Sequence, residues 1–283
     1  MAGRAPRVLT IDAEEWFHVC GDDYFSDPRR WDSFPSRIEE TFLSLLETLD
    51  RAGHRATVFF LGWIAEKYPH LVREAAARGH EIGVHGDLHR RADEDGAASF
   101  REDLLRGRDR VERASGVRAT AHRAAEWSIR HPADASLSVL MEEGFLCDAS
   151  MTPVPPLGRA DNLPGAQRIE RDGLSLVEVP PLTGRGFGRT VPAGGGWPFR
   201  VLSSRRLARA EESFRNAGLP AVFTFHPWEF DAEHPPMDAL PPLLKLVHFS
   251  GLSALPERFE RWLASDGSVA LADVLPSLQP LAA

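Results

Sequence analysis

The sequence of 283 residues predicts an α/β fold built on a mostly parallel sheet. Two observations carry this. Short apolar runs alternate with amphipathic segments along most of the chain, the pattern of repeated strand–helix units. Titratable residues stand directly after several of those runs, where parallel α/β folds assemble their sites. With 43% apolar and 26% charged residues, the chain has enough to bury a core without disulfides or a structural metal.

The elements follow in order. Val8–Ile11 reads as the first strand. Ser36 and Glu39 have capping-box spacing, in which each side chain satisfies an orphan helix amide. Ile38, Phe42, Leu45, Leu46 and Leu49 then fall on one helical face, and Gly53 supplies the stop. Ala56–Phe60 is the second strand. Pro69 starts a helix, where its missing N–H costs nothing, and Gly79 ends it. Glu81–Val84 is the third strand. Helices near Ala97–Ser115 and Pro132–Glu143 follow, with strands near Arg118–Ala121 and Phe145–Cys147. The proline-rich segment Thr152–Gly165 reads as a loop, and Leu174–Val179 as a strand. The glycines from Gly184 to Gly196 precede no Lys-Ser/Thr, so they form no P-loop and read as a long surface loop near a site. Leu202–Ala217 is helical, Ala221–Phe225 a strand, and Leu252–Leu275 one or two closing helices.

No internal repeat of roughly 20–50 residues occurs, and no linker forces a division. The expected organisation is one catalytic domain, 1–283, with a helical C-terminal extension over about 236–283. The net charge of −8 with no offsetting basic block argues against nucleic acid as a partner. Cys20 and Cys147 leave a single bridge open, but two cysteines are no disulfide scaffold. No apolar segment of signal-peptide length precedes Val8, and no apolar stretch of roughly 18 residues is present. The expectation is a soluble, cytoplasmic protein.

Three places carry chemistry. Asp12, Glu14 and Glu15 follow the first strand, where a turn can converge carboxylates, although an acidic cluster alone is more often a solvated loop. His85 and His89 follow the third strand. Histidines four apart share a face of a helix or tight turn and can hold one metal, and with a carboxylate they leave positions open for water and substrate. His226 follows the last clear strand and suits a general acid. Arg123 ends another strand and suits a partner for a carboxylate. Trp16, Phe17, Trp127, Trp197 and Trp228 lie beside these segments, where they either stack on sugar faces or pack the fold.

The segments Thr10-Ile-Asp-Ala-Glu-Glu-Trp-Phe17, Gly79-His-Glu-Ile-Gly-Val-His-Gly-Asp-Leu-His89, His122-Arg-Ala-Ala-Glu-Trp-Ser-Ile129 and Phe225-His-Pro-Trp-Glu229 resemble the polysaccharide deacetylases, carbohydrate esterase family four. The likeness runs in order from about Val8 to the C-terminus and is greatest to the branch associated with bacterial exopolysaccharide gene systems. It implies a distorted (β/α) barrel of about seven parallel strands, and a metal-dependent hydrolase removing N-acetyl groups from an N-acetylated glycan or aminosugar. It implies Asp12 as general base, Glu14, His85 and His89 as ligands of Zn²⁺ or another divalent transition metal, Arg123 as the partner that orients Asp12, and His226 as general acid. Asp148 is the residue it offers to orient His226. Trp16, Trp127, Trp197 and Trp228 are the candidate sugar contacts.

One motif departs from the family pattern. Arg123-Ala-Ala125 stands where relatives usually carry Arg-x-Pro, and losing a residue of fixed φ is expected to loosen the loop holding Arg123. The competing readings are hydrolysis of a non-sugar amide or cyclic ureide on the same fold, and a catalytically impaired relative retained for binding glycan. A two-carboxylate glycosidase leaves both histidines unexplained.

Overall fold

The computed structural model describes residues 4–19, 22, 24–94, 96–186 and 188–278. In chain order the elements are β1 (Arg7–Ala13), α1 (Ile38–Ala52), β2 (Thr57–Phe60), α2 (Gly62–Lys67), α3 (Pro69–Ala77), β3 (Glu81–Val84), α4 (Gly96–Ser115), β4 (Ala121–His122) and α5 (Ala135–Glu142). Then come β5 (Cys147–Asp148), β6 (Gln167–Arg171), β7 (Leu174–Glu178), β8 (Thr183–Gly186), β9 (Arg189–Pro192), α6 (Gly196–Val201) and α7 (Ser204–Asn216). The chain closes with β10 (Ala221–Phe225), α8 (Pro242–Phe249), α9 (Leu255–Leu263), β11 (Ser268–Val269) and α10 (Leu271–Val274).

The main sheet runs β10-β1-β2-β3-β4-β5-β7-β6. Every neighbouring pair from β10 to β7 is parallel, so seven strands point their C-terminal ends the same way. Among the described residues of this sheet only β6 is antiparallel, and β11 adds a short parallel pairing at the start of β1. The free edge of β10 is met by irregular chain: the Leu182 N–H donates to Val222 O and the Thr224 N–H to Gly194 O, each at 2.9 Å. The result is a curled, distorted (β/α) barrel, as the resemblance implies.

Strand alternation sorts side chains between two layers. One apolar cluster, with Leu9, Ile11, Val58, Phe60, Phe223 and Phe225, packs the outer sheet face against α1, α3, α7 and α9. A second, with Val84, Leu104, Leu140 and Phe145, lies under α4 and α5. Val8, Phe59, Ala121, Cys147, Val177 and Val222 fill the interior, and Leu271 and Val274 of α10 join them.

Several expectations need correction. Ser36 does not cap α1. Glu15 does so from across the chain, its carboxylate accepting the Arg37 amide at 3.1 Å and the Ile38 amide at 3.3 Å, while Ser36 donates its hydroxyl to the same carboxylate. The glycine-rich segment is not a plain loop. It folds as the β8–β9 hairpin and then α6. β6 lies in a stretch with no element expected from the sequence, whereas α8 falls within the expected helical extension. β6 joins β7 through Asp172-Gly173, both at positive φ (50° and 79°), the signature of a tight hairpin turn. Cys20, and with it the open disulfide question, lies outside the described residues.

Candidate active site

The C-terminal ends of β1, β3, β4 and β10 meet at one end of the barrel. β1 carries Asp12, and Glu14 follows just past its last residue; both are buried. His85 follows β3. The chain then turns through Gly86, with φ 76°, and reaches His89, itself at φ 53°. That turn brings the two imidazoles onto one carboxylate oxygen. Glu14 Oε1 lies 2.7 Å from His85 Nε2 and 3.0 Å from His89 Nε2.

Neighbouring helices hold the turn. The Gly62 and Trp63 amides at the start of α2 donate to Gly86 O and Asp87 O, at 2.9 and 3.1 Å. From α4, the buried Asp103 accepts the Asp87 amide at 2.7 Å and the Leu88 amide at 3.3 Å. Gly107 lets α4 approach: a Cβ there would stand 2.4 Å from Gly86 O. Asp103 and Gly107 have no distinguishing sequence signal, and reasoning from sequence missed both.

The donor set fits a divalent cation. Glu14, His85 and His89 offer ligand atoms within 4.8 Å of one another, and all three are buried. His85 Nδ1 lies 2.7 Å from Arg123 O, a contact that fixes the ring and directs Nε2 to the cluster, as outer-sphere partners of metal histidines do. Burial pushes the Glu14 carboxyl upward, but the His89 charge and hydrogen bonds from both histidines outweigh it, holding Glu14 well below the usual range. A buried anion between two imidazole nitrogens is the electrostatic setting a cation satisfies.

Arg123 lies almost fully inside the barrel. Its guanidinium donates to Asp12 Oδ1 at 2.7 Å, Thr10 Oγ1 at 2.9 Å and Ala149 O at 2.9 Å, between the faces of Phe59 and Trp127. Alanine at position 125 leaves this loop tied down. The Arg123 amide donates to Val84 O at 3.0 Å, the Ala124 amide to Ser150 Oγ at 2.7 Å, and Ser128 Oγ to Ala125 O at 2.6 Å.

His226 stands on the other side of Asp12, its Nε2 3.7 Å from Asp12 Oδ2. Its Nδ1 faces the buried Glu229 at 3.4 Å, one turn along the short helix Pro227–Phe230. Burial alone would lower the His226 pKa. The carboxylates of Glu229, Glu14 and Asp12 reverse that and raise it to about 9.

Asp148 does not reach His226. It sits in register with His122 and Glu178 on the outer sheet face, bonded to His122 Nδ1 at 2.7 Å and Ser150 Oγ at 2.8 Å. Glu229 is the acid beside His226; it lies inside the Phe225–Glu229 motif, three residues on, where a helical turn returns a side chain. Trp16 is also no sugar platform. It is 2% exposed, its indole N–H donates to Pro35 O at 2.9 Å, and it packs among Phe17, Phe25 and Phe34. Trp228 stacks between His226 and His248, and Trp127 lies against Arg123. Trp197 is 40% exposed.

The structure thus joins a curled parallel barrel to a buried carboxylate–histidine cluster, with Asp12, Arg123 and His226 beside it. Residues 30–137 match the family model described as polysaccharide deacetylase, and residues 149–275 match a domain of unknown function, DUF3473. The first of these stretches, which carries His85, His89 and Arg123, is therefore similar to the polysaccharide deacetylase family. Both matched regions contribute strands to the one sheet, while Asp12 and Glu14 precede both. A Mycobacterium smegmatis protein assigned as a polysaccharide deacetylase superposes with a TM-score of 0.60 at 20% identity, covering 99% of this chain and 97% of that one. The Bc1960 peptidoglycan N-acetylglucosamine deacetylase gives 0.52 at 15%, covering 98% and 91%. A mutant of BA3943, a family-four pseudoenzyme, with restored enzymatic activity gives 0.51 at 11%, covering 97% and 68%. At these identities the likeness speaks for the fold. No curated protein matches the sequence significantly.

Proposed function

We propose that this protein is a metal-dependent hydrolase that removes N-acetyl groups from the sugars of a bacterial polysaccharide or its precursor, of the exopolysaccharide kind. The observation that carries the proposal is the buried Glu14–His85–His89 triangle with Asp12 and His226 beside it. Glu14, His85 and His89 would hold the ion, and their mixed nitrogen and oxygen donors suit Zn²⁺. When bound, the ion supplies Lewis acidity toward the amide carbonyl and lowers the pKa of water.

The chain's own groups do the rest. Asp12, fixed by Arg123, takes a proton from the water that attacks the acetyl carbon. His226, charged at neutral pH, gives its proton to the sugar nitrogen as the C–N bond breaks. Acetate and a free amine leave, and the proton on Asp12 returns to solvent or to His226. The intact acid–base pair speaks against a glycan-binding relic. A panel of sugar and non-sugar amides separates the deacetylase from a ureide hydrolase.

The test is acetate release from N-acetylglucosamine oligosaccharides. Asp12→Asn and His226→Ala should each slow turnover by about 10²–10⁴-fold. Wild-type turnover in both variants would sink the assignment.

A further inference from the structure

Most arginines of this acidic chain meet a carboxylate, as Arg7 meets Glu211, Arg78 meets Asp50 and Arg101 meets Glu142. Arg4, Arg73, Arg118 and Arg168 are scattered exceptions among the described residues, but one region departs from the pattern as a block. From Val179 to Ala210 the sequence holds no Asp or Glu but six arginines. Arg200 is buried and turned inward, donating to His248 O at 2.6 Å and Ser250 O at 2.9 Å. The other five, Arg185, Arg189, Arg205, Arg206 and Arg209, are exposed and meet no carboxylate among the described residues. Spacing hides this group in the sequence, where no two but Arg205 and Arg206 are adjacent, so the −8 charge reads as uniform.

The fold gathers them on one side of the barrel, next to a segment that reaches the site. A Cβ on Gly196, where α6 starts, would stand 3.5 Å from Glu229 Oε1, the acid facing His226. Trp197 comes next, with 40% of its surface open. α7 begins just after α6 and runs away from the site before β10 returns, so Arg205 and Arg206 lie toward the catalytic end of the barrel. The β8–β9 hairpin packs on α7, with Ala210 Cβ 3.4 Å from where a Cβ on Gly184 would stand, bringing Arg185 and Arg189 alongside.

Unpaired guanidiniums pair readily with carboxylate or phosphate, and an open indole offers a face to a pyranose ring. We infer that the glycan taken by this site is anionic, its acidic groups held by Arg205, Arg206 and Arg209 and the hairpin arginines while Trp197 stacks a sugar near the reacting acetamide. This names the substrate class and rests on the deacetylase reading. The remaining surface, negative overall, disfavours such a polymer elsewhere, so the patch also sets where the chain lies.

The experiment compares fluorescently labelled hyaluronan oligosaccharides, which alternate N-acetylglucosamine with glucuronate, with neutral chitin oligosaccharides of matched length. Binding is read by anisotropy, independently of turnover, and acetate release is followed in parallel. Two or three exposed ion pairs predict about tenfold tighter binding of the anionic probe at low salt. The preference should shrink as salt rises, and the R205Q/R206Q/R209Q variant should lose most of it while circular dichroism shows it folded. Equal binding of the two probes by the wild type overturns the inference, even if acetate is released from both. Salt-sensitive preference without acetate release from either keeps the anionic ligand and fails the deacetylase reading instead. Association with phosphatidylglycerol vesicles, with no preference between the probes, would assign the arginines to a membrane surface and overturn the glycan assignment.

Discussion

His226 lies between Asp12 and Glu229, and those acids decide when it can give up its proton. A group raised to about 9 keeps its proton through neutral pH and loses it as pH climbs through that value. An ion on Glu14 offsets one of the causes, but Glu229 and Asp12 remain. Turnover should therefore fall on the alkaline side as His226 deprotonates. Glu229→Gln removes the nearest anion and should move that alkaline limb of kcat/KM to lower pH, with Glu229→Asp recovering part of it. An unmoved limb would show that Glu229 only packs. Much of this site is legible in the sequence, because a titratable residue directly after an apolar run marks a strand end. Asp148 is misread for a physical reason. Side chains alternate along a strand, so Asp148 shares the outer face of His122 and Glu178, whereas Arg123, one position on from His122, turns inward to Asp12.

The loop from His85 to His89 owes its shape to α2 and α4. Removing Asp103 leaves the Asp87 and Leu88 amides without their acceptor, a cost of about 1–3 kcal/mol for each buried group. Asp103→Ala should lower the thermal midpoint and weaken metal retention without touching a ligand, and Asp103→Asn should restore part of both. A variant that retains metal as the wild type does would show that the turn is held by its own geometry and α2 alone. Helices and strands with clear periodicity are legible in the sequence, as α1, β2, β3 and β10 are. What is not legible depends on contacts between distant residues. Glu15 caps α1 from beyond the first strand, and Gly107 matters only because Gly86 O lies against it. β6 carries little apolar pattern in Gln167-Arg-Ile-Glu-Arg171, yet the Asp172-Gly173 turn was a readable sign of it.

Across the whole molecule, β4, β5 and β7 are tied by a buried polar row, His122–Asp148–Glu178. Burial, and next the Asp148 charge, raise the Glu178 carboxyl well above its ordinary value, which favours its neutral form. Its stabilising contribution is full below the unfolded carboxyl range and is lost as pH rises through the raised value. Glu178→Gln preserves the shape and cannot ionise, so unfolding midpoints should favour the variant increasingly from acid to alkaline pH. A constant difference across that range would contradict a neutral Glu178. Among the described residues no helix is long and apolar enough to cross a membrane.

An ion bound only by the folded barrel must also stabilise it. Elemental analysis of the purified protein, before and after dialysis against a chelator and beside the His85→Ala variant, therefore tests the metal site first. The wild type should carry near-stoichiometric zinc or another divalent transition metal and lose it with chelator together with acetate release and thermal stability, while His85→Ala should hold little metal. A wild type that takes up no metal under any loading condition, or a His85→Ala variant that holds it equally well, would contradict the Glu14–His85–His89 site and the hydrolysis built on it.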